Sequence, residues 1–213
     1  PPITVLERIR LSPPPPPEWG RCASRSFMGC YTKAVVLYDE PFWRAKGLSG
    51  TCMRLAFDEE HPVQNVYDHS EIETEAVPPP DDGAAGERST TAAPAAAAHE
   101  KHGPAAALVC FLAGDAAMLY AGAPAAALHE AVVRSLVRFF GDEARTRLRE
   151  VVSYEWGGDE WSRGCPCNLL GVGNHARHHA AFRTPLMQGR LHWGSTEAAP
   201  EFTGYMEGAV RAG

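Results

Sequence analysis

Runs of apolar and polar positions predict several strands along the chain. Residues 30–38 are rich in β-branched and aromatic side chains, which is typical of a strand. Residues 107–114 form a continuous apolar run, which is typical of a buried strand, and residues 151–156 predict a third strand. Residues 49–57 and 62–67 predict further strands of an antiparallel meander.

The strongest helical pattern runs from residue 124 to residue 140. Its apolar repeat, at spacings of four residues, consists of Leu128, Val132, Leu136 and Phe140. Pro124 suits a first helical turn and Gly141 suits a helix end. The order of strands, helix, strand, and then strand and helix predicts an α+β protein with a mixed β-sheet flanked by helices.

Changes in composition divide the chain into four segments. The five prolines Pro13 to Pro17 predict a stiff extended connector. Residues 72–106 are dominated by Pro, Ala, Gly, Asp and Glu, which predicts a disordered insertion. We therefore expect four segments: substrate-domain strands at 1–71, an insertion at 72–106, the remainder of the substrate domain at 107–155 and a distinct C-terminal segment at 156–213.

The C-terminal segment has the pattern of a strand, a loop and a helix. Residues 190–193 predict a short strand, Gly194 and Ser195 interrupt it, and Gly204 to Val210 predict the start of a helix. This geometry presents backbone N–H groups and a positive dipole end to an anion or an electron-rich ring. An ordinary connection between a strand and a helix has the same local pattern.

Composition and charge argue against two classes of protein. The 213 residues, of which 45% are hydrophobic, suffice for one domain or two small ones. A formal net charge of −6 argues against a nucleic-acid partner, because phosphate neutralisation needs clustered Lys and Arg. No apolar run approaches the roughly 20 residues of a transmembrane helix, and no signal peptide is recognisable at the start.

The first residues and the cysteines give two further expectations. The chain opens on Pro1 and Pro2 without a Met, so we expect a fragment of a longer protein. Six cysteines dispersed over a chain of this length predict free thiols rather than a disulfide framework. Free thiols in turn predict an intracellular protein, with the compartment left open.

Lys33 stands out in the first predicted strand. The period of two places its side chain on the same face as Tyr31, Val35 and Leu37. Such a lysine either lies near a strand end and reaches water along its stem, or is buried beside a partner. The pattern leaves both interpretations open.

A cluster of thiols and imidazoles follows the last predicted strand of the sheet. It comprises Cys165, Cys167, His175, His178 and His179. Metal binding is one interpretation, but Cys-x-Cys differs from the usual Cys-x2-Cys spacing and two of the histidines are adjacent. A histidine-rich loop facing solvent is the alternative.

The end of the chain resembles the C-terminal signature of the flavin-dependent monoamine oxidase family. The matching residues are Thr196-Glu197 and Phe202-Thr203-Gly204-Tyr205-Met206-Glu207-Gly208-Ala209. In that family, this loop and helix start lie against FAD. The resemblance implies cofactor contacts from Gly194, Ser195, Thr196, Glu197, Gly204, Tyr205 and Met206.

Two other segments resemble the same family and imply roles for four side chains. Tyr31-Thr32-Lys33-Ala34-Val35, followed by Glu40-Pro41-Phe42-Trp43, resembles the family's lysine strand, so Lys33 would hold a water near flavin N5. Trp156 and Cys165, nine positions apart, match a tryptophan near the flavin and a cysteine that bonds covalently to its 8α-methyl. The alternative is that Cys165 is a plain buried thiol and that the flavin is held non-covalently. The basic neighbour Arg163 would favour the thiolate of Cys165. Tyr205 matches one tyrosine of the family's aromatic cage.

The chain departs from the family at three points. Pro166 occupies the position of the second cage tyrosine, so a complete cage is not expected. Ser195 replaces a glycine where the backbone approaches the cofactor. The glycine fingerprint Gly-x-Gly-x-x-Gly, with its acidic residue about 20 positions later, is missing, so this chain alone is expected to bind FAD weakly and to be inactive.

The resemblance implies a fragment of a flavin-dependent amine oxidase. An amine would deliver hydride from its α-carbon to FAD, the imine would hydrolyse, and O2 would reoxidise the flavin to give hydrogen peroxide. The resemblance implies no metal, and a homodimer is possible. Two alternatives remain: a non-catalytic substrate-domain remnant that acts as an interaction module, and a binding domain stabilised by a metal on the Cys/His cluster.

Overall fold

A five-stranded antiparallel sheet is the largest element of the fold. The computed structural model describes residues 3–55, 58–70 and 106–213. The sheet has the strand order β3-β4-β5-β2-β6. Its strands are β2 (Tyr31–Tyr38), β3 (Cys52–Met53), β4 (Asn65–Asp68), β5 (Ala106–Ala113) and β6 (Leu148–Glu155). A second, two-stranded sheet pairs β1 (Ser26–Met28) with β7 (Asn168–Leu170).

Seven short or medium helices surround these sheets. They are α1 (Pro17–Ala23), α2 (Phe42–Ala45), α3 (Asp115–Leu119), α4 (Ala125–Phe140), α5 (Glu143–Thr146), α6 (Asn174–His178) and α7 (Met206–Ala212) within the described residues. The described residues also form four 3-10 segments, at Ile3–Arg8, Trp156–Gly158, His179–Arg183 and Thr196–Ala198. In the described part of the chain, no helix is both long and apolar enough to cross a bilayer.

Helix α4 covers one face of the large sheet and builds the main core. The predicted apolar repeat, Leu128, Val132, Leu136 and Phe140, is buried in this core. These residues share a core with the alternate residues of β2 that are fully buried, Ala34, Val36 and Tyr38. Burial of each large apolar side chain contributes roughly 1.5–3 kcal/mol, so α4 and β2 hold each other in place.

A smaller core forms around aromatic rings in the remainder of the chain. Trp19 of α1 stacks on Phe182 with ring centroids 4.9 Å apart, and Trp193 meets Trp19 edge-on at 5.3 Å. The Trp19 indole N–H donates to the carbonyl of Ala181 at 3.1 Å. The N-terminal residues are thereby attached to the C-terminal segment, which brings the two ends of the described chain together.

The structure confirms the α+β class and corrects four expectations within it. Every pairing in the large sheet is antiparallel, so the sheet is not mixed. The proline run is extended up to Pro16, but Pro17 begins helix α1 instead of continuing the connector. The expected strand at 190–193 is reduced to one isolated bridge, between Leu186 and Leu191.

The fourth correction concerns the predicted strand at 49–57. Only Cys52–Met53 is a strand, although its antiparallel pairing with β4 agrees with a meander. The predicted insertion at 72–106 lies outside the described residues except for Ala106, which begins β5. The four segment boundaries stay predictions.

Candidate active site

The sheet face that α4 does not cover carries a row of side chains running across all five strands. Met53 lies opposite Asn65, Asn65 opposite Phe111, Phe111 opposite Lys33, and Lys33 opposite Tyr154. Residues directly opposite each other in a sheet point to the same face. We call this face, with Tyr31, Val35, Leu37 and Tyr67 also on it, the open face.

Lys33 lies near the centre of the open face. Its side chain is exposed, and it forms no ion pair with any residue that the structure describes. The predicted face shared with Tyr31, Val35 and Leu37 is therefore confirmed, but burial of Lys33 within this chain is not found. Its ammonium offers three donors to solvent or to a bound molecule.

Aromatic side chains on both sides of Lys33 are held by neighbouring rings. Phe111 meets Tyr31 edge-on with centroids 6.2 Å apart and meets Tyr67 at 6.0 Å. On the other side, Tyr154 meets Trp156 edge-on at 4.7 Å, and its hydroxyl donates to Asp159 Oδ2 at 3.2 Å. Tyr154 is 51% exposed and Trp156 37% exposed, so their rings remain available to a ligand.

Cys165 lies against the first residue of β2 because two glycines let the backbones approach. A Cβ on Gly29 would lie 2.7 Å from the Cys165 carbonyl oxygen, and one on Gly164 would lie 2.7 Å from Met28 Cβ. The Cys165 N–H donates to the Gly29 carbonyl at 3.0 Å, and its Sγ lies 3.5 Å from the Tyr31 carbonyl oxygen. The thiol is thus fixed beside the start of β2.

The expected activation of Cys165 by Arg163 is not found. The Arg163 guanidinium donates to the carbonyl of Thr4 at 3.1 Å. Burial is the largest influence on the thiol, and it raises the pKa of Cys165 above its ordinary value. In this chain Cys165 is therefore held as the neutral thiol at neutral pH.

The C-terminal loop and α7 are braced by one threonine. The Gly204 N–H donates to Thr196 Oγ1 at 2.7 Å, and the Thr196 hydroxyl lies 3.4 Å from the Phe202 carbonyl oxygen. A Cβ on Gly208 would lie 2.7 Å from that same Oγ1 and 2.8 Å from the Phe202 carbonyl carbon. The first turn of α7 therefore packs directly on the loop, and only glycine fits at position 208.

Three of the expected cofactor residues in this loop and at the start of α7 are exposed to solvent. Gly194 is exposed, Tyr205 is 70% exposed and Met206 is 88% exposed. Ser195 and Glu197 point elsewhere: the Ser195 hydroxyl bonds to the Glu197 carboxylate, and Glu197 is buried. Side-chain contact between Glu197 and a ligand is therefore not available in this conformation.

Cys167 connects the loop to the sheet. Its carbonyl accepts from the Gly29 N–H at 3.0 Å, and its Sγ lies 3.3 Å from the position of a Cβ on Gly204. Burial first, and then the charge of Glu197, raise the pKa of Cys167. The structure thus brings Lys33, Trp156 and Cys165 to one end of β2. Cys167, two residues after Cys165, contacts Gly204, which is hydrogen-bonded to Thr196.

Sequence reasoning missed two polar contacts and the glycine contacts at the site. Tyr154 with Asp159, and Asn65 with Tyr67, are side-chain pairs on or beside the open face. The period of two in β6 and β4 could have placed both tyrosines on the open face, since each follows a residue that faces the core. The approach of Gly29 to Gly164 had no local signal, because the two glycines are distant in sequence.

The thiol and imidazole cluster does not converge on one point. Among residues 3–55, 58–70 and 106–213, no group of three His, Cys, Asp or Glu side chains is arranged to hold a metal ion. His175 stacks on His179 with centroids 4.2 Å apart, and His179 is buried. Burial lowers the pKa of His179, so its ring is neutral at neutral pH. The expected solvent-facing loop holds for His175 but is wrong for His179.

The residues at this site fit a flat, electron-poor aromatic cofactor. The exposed rings of Tyr154 and Trp156 offer apolar faces at the end of β2 where the Cys165 thiol and the Lys33 ammonium lie, and the exposed ring of Tyr205 belongs to the C-terminal loop. A ligand ring laid on this surface would remove exposed aromatic area from water, which is favourable. Such a donor set suits a flavin.

The chain belongs to the family described as flavin containing amine oxidoreductase, whose sequence profile matches residues 1–213. A Dictyostelium discoideum protein named "Probable flavin-containing monoamine oxidase A" is 30% identical over 212 residues, which is 100% of this chain and 39% of that protein. The family resemblance of the sequence is thereby confirmed.

Two solved oxidases have the same fold over almost the whole chain. A putrescine oxidase with putrescine bound has a TM-score of 0.74 and 26% identity, covering 99% of this chain and 39% of its own. Cyclohexylamine oxidase from Brevibacterium oxydans IH-35A has a TM-score of 0.73, 26% identity and the same coverage. The chain thus spans about two fifths of the length of these relatives.

Proposed function

We propose that this chain forms the substrate-facing sheet and the C-terminal cofactor wall of an FAD-dependent amine oxidase. The single observation that carries the proposal is the convergence of Lys33, Trp156 and Cys165 around the first residue of β2. These residues come from three separate segments, and each matches the family at its own position. When bound, FAD would supply the acceptor for the hydride that leaves the amine α-carbon.

The chain's own residues would bind and orient. The Lys33 ammonium would hold a water on the open face, close to where the cofactor ring lies. Trp156 and Tyr205 would offer ring faces, and the exposed backbone of Gly194 and Met206 would contact the cofactor. Tyr205 would also orient the neutral amine, because an electron-rich ring face favours the charge that develops as hydride leaves.

Cys165 would attach the cofactor covalently. The thiol is fixed by backbone contacts to Gly29 and Tyr31. Its raised pKa means that attachment would need a base or a higher pH to form the thiolate. Because Pro166 has no ring, the amine would meet one cage tyrosine rather than two.

The overall reaction would be oxidative deamination. The amine and O2 would be consumed, and an imine that hydrolyses and hydrogen peroxide would be formed. An intracellular location and a homodimer stay predictions. The fragment status of the chain and its inactivity on its own are likewise proposals.

A flavin spectrum of the complete protein that contains this chain tests the proposal. We expect the purified protein to show the visible absorption bands of a bound flavin. We also expect it to oxidise simple primary amines with release of hydrogen peroxide. Acid precipitation then tests Cys165, since a covalent flavin stays in the pellet. A protein purified colourless, even after incubation with FAD, would support the interaction-module alternative. Zinc found by elemental analysis would support the metal-stabilised alternative.

A further inference from the structure

Asp159 organises the loop that follows Trp156. Its Oδ1 accepts hydrogen bonds from the backbone N–H groups of Trp161 at 3.0 Å and Ser162 at 2.7 Å. Its own N–H donates to the Trp156 carbonyl at 3.3 Å, and its carbonyl accepts from the Arg163 N–H at 2.9 Å. An aspartate that accepts from backbone N–H groups shortly after it in the chain fixes a turn. Asp159 therefore holds the path of the chain from Trp156 to Arg163.

The second carboxylate oxygen of Asp159 ties this loop to the end of β6. The Tyr154 hydroxyl donates to Asp159 Oδ2 at 3.2 Å, and the Tyr154 ring meets the Trp156 ring edge-on with centroids 4.7 Å apart. Asp159 is half-buried, and its hydrogen bonds, first of all the one from the Ser162 N–H, lower the pKa of its carboxyl. The group is therefore ionised at neutral pH, and both of its oxygens act as acceptors.

The two ends of the loop lie beside proposed cofactor residues. At its start, Tyr154 is directly opposite Lys33 in the sheet and is in contact with Trp156. At its far end, the Cys165 N–H donates to the Gly29 carbonyl at 3.0 Å. A shift of the loop between these ends would move the Trp156 ring relative to Lys33, together with the chain that leads to Cys165.

We propose that Asp159 is a positioning residue of the flavin site: its carboxylate holds the Trp156 ring, and the chain that leads to Cys165, in place beside Lys33. This role rests on the proposed function. Asp159 acts through Tyr154 and through the backbone of the loop, whereas Trp156 would meet the flavin. Reaction rates depend steeply on such placement, since a displacement of about 1 Å can cost about a hundredfold.

Three variants separate the contacts of Asp159. In Asp159→Asn, the amide oxygen still accepts from Trp161 and Ser162, and the amide nitrogen can donate to the Tyr154 hydroxyl, so the turn is kept. In Asp159→Ala, all of these side-chain contacts are lost. Tyr154→Phe keeps the turn and removes only the hydrogen bond to β6.

The test uses the complete protein loaded with FAD. We expect Asp159→Ala and Tyr154→Phe to alter the visible circular dichroism of the bound flavin at saturating FAD, because this signal depends on the groups around the ring. The rate constant for reoxidation of the reduced flavin by O2, the step that the water held by Lys33 would assist, should fall about tenfold or more in Asp159→Ala and about threefold or less in Asp159→Asn. Hydrogen exchange in peptides that contain residues 160–163 should be faster in Asp159→Ala alone, because the Trp161 and Ser162 N–H groups lose their acceptor.

Asp58→Ala is the matched control. Asp58 Oδ1 accepts from the backbone N–H groups of Glu60 at 2.9 Å and His61 at 3.3 Å, so Asp58 fixes the same kind of turn between β3 and β4. Its replacement measures the effect of losing such a turn on the melting temperature. We expect it to leave the flavin dichroism and the reoxidation rate constant unchanged.

The outcomes separate the positioning role from the proposed function. Flavin dichroism and reoxidation in Asp159→Ala that match those of flavin-loaded, unmodified protein would overturn the positioning role and leave the proposed function intact. Equal losses in Asp159→Ala and Asp58→Ala would also overturn it, because a general loss of stability would explain both. Unmodified protein that stays colourless after incubation with FAD would overturn the proposed function and the positioning role together. If Asp159→Ala does not fold, Tyr154→Phe decides: unchanged flavin dichroism overturns the role, and altered dichroism with residues 160–163 still protected supports it.

Discussion

Replacement of Gly208 by alanine tests the packing of α7 on the C-terminal loop. Helix propensity alone favours alanine over glycine by about 0.5–1 kcal/mol at a helical position. At position 208, however, the new Cβ would lie 2.7 Å from Thr196 Oγ1 and closer still to the Phe202 carbonyl oxygen. Overpacking of this kind costs typically about 1–3 kcal/mol, so the steric cost exceeds the gain in propensity.

A second helical glycine provides the control. A Cβ on Gly20 of α1 would meet nothing within 4 Å, and Gly20 is exposed. Gly20→Ala therefore keeps the gain in propensity without the clash. After the gain in propensity is subtracted, the net cost of Gly208→Ala is up to about 2.5 kcal/mol. At about 2–4 °C per kcal/mol, we expect this variant to lower the melting temperature by up to about 10 °C, and Gly20→Ala to leave it unchanged or raise it slightly.

Differential scanning fluorimetry and flavin retention on gel filtration together check the prediction. Because Gly208 sets the position of Tyr205 and Met206 above Thr196, its replacement is also expected to weaken flavin binding. Equal melting temperatures for the two alanine variants would refute the packing argument. Normal melting with lost flavin would instead show that the loop moves without unfolding.

Three further predictions concern the thiols and Lys33. Cys165→Ala should release all flavin on acid precipitation while Cys167→Ala retains it, because only the Cys165 thiol is fixed beside Tyr31; retention in both variants would contradict the assignment. Lys33→Met should change the free energy of unfolding, measured in urea, by about 0.5 kcal/mol or less, because the side chain is exposed. The same variant should slow O2 consumption by the reduced enzyme. A large loss of stability would contradict the exposed position of Lys33. Burial raises the pKa of Cys110 above its ordinary 9.0, so the folded thiol keeps a proton that the unfolded thiol releases. The contribution of Cys110 to stability should therefore be constant below about pH 9 and be lost above it, so that the fall in stability above pH 9 is shallower in Cys110→Ala; parallel pH profiles in urea above pH 9 would contradict this.

The elements predicted correctly from the sequence are those whose signal is local. Helix α4 has an apolar repeat and both end signals, and β5 is a continuous apolar run. Helix α1 was missed because five consecutive prolines dominate the pattern, although proline is well suited to the first turn where Pro17 stands. A mixed sheet was predicted where the sheet is wholly antiparallel, because strand direction depends on how distant segments connect, which no local pattern records.

The candidate site was predictable only residue by residue. Cys165, Trp156 and Lys33 were found from short motifs, but their convergence depends on the approach of Gly29 to Cys165 and Gly164. A glycine that admits a distant backbone is indistinguishable in sequence from a glycine in a turn. The fixed Tyr154 ring was missed for another reason, because the strand pattern in β6 does not record its hydrogen bond to Asp159 in the following loop.

The position of Lys33 shows why a correct strand pattern does not by itself decide the environment of a side chain. The period of two grouped it with Tyr31, Val35 and Leu37, and the structure places these four on one face. Its apolar neighbours allowed either burial or exposure, because β2 is apolar on both faces. Helix α4 covers only the face of Ala34, Val36 and Tyr38, so Lys33 is exposed in this chain. Apolar side chains that remain on the uncovered face of a sheet mark a surface that binds something else. That surface, with a lysine among rings, is what the proposed oxidase chemistry requires.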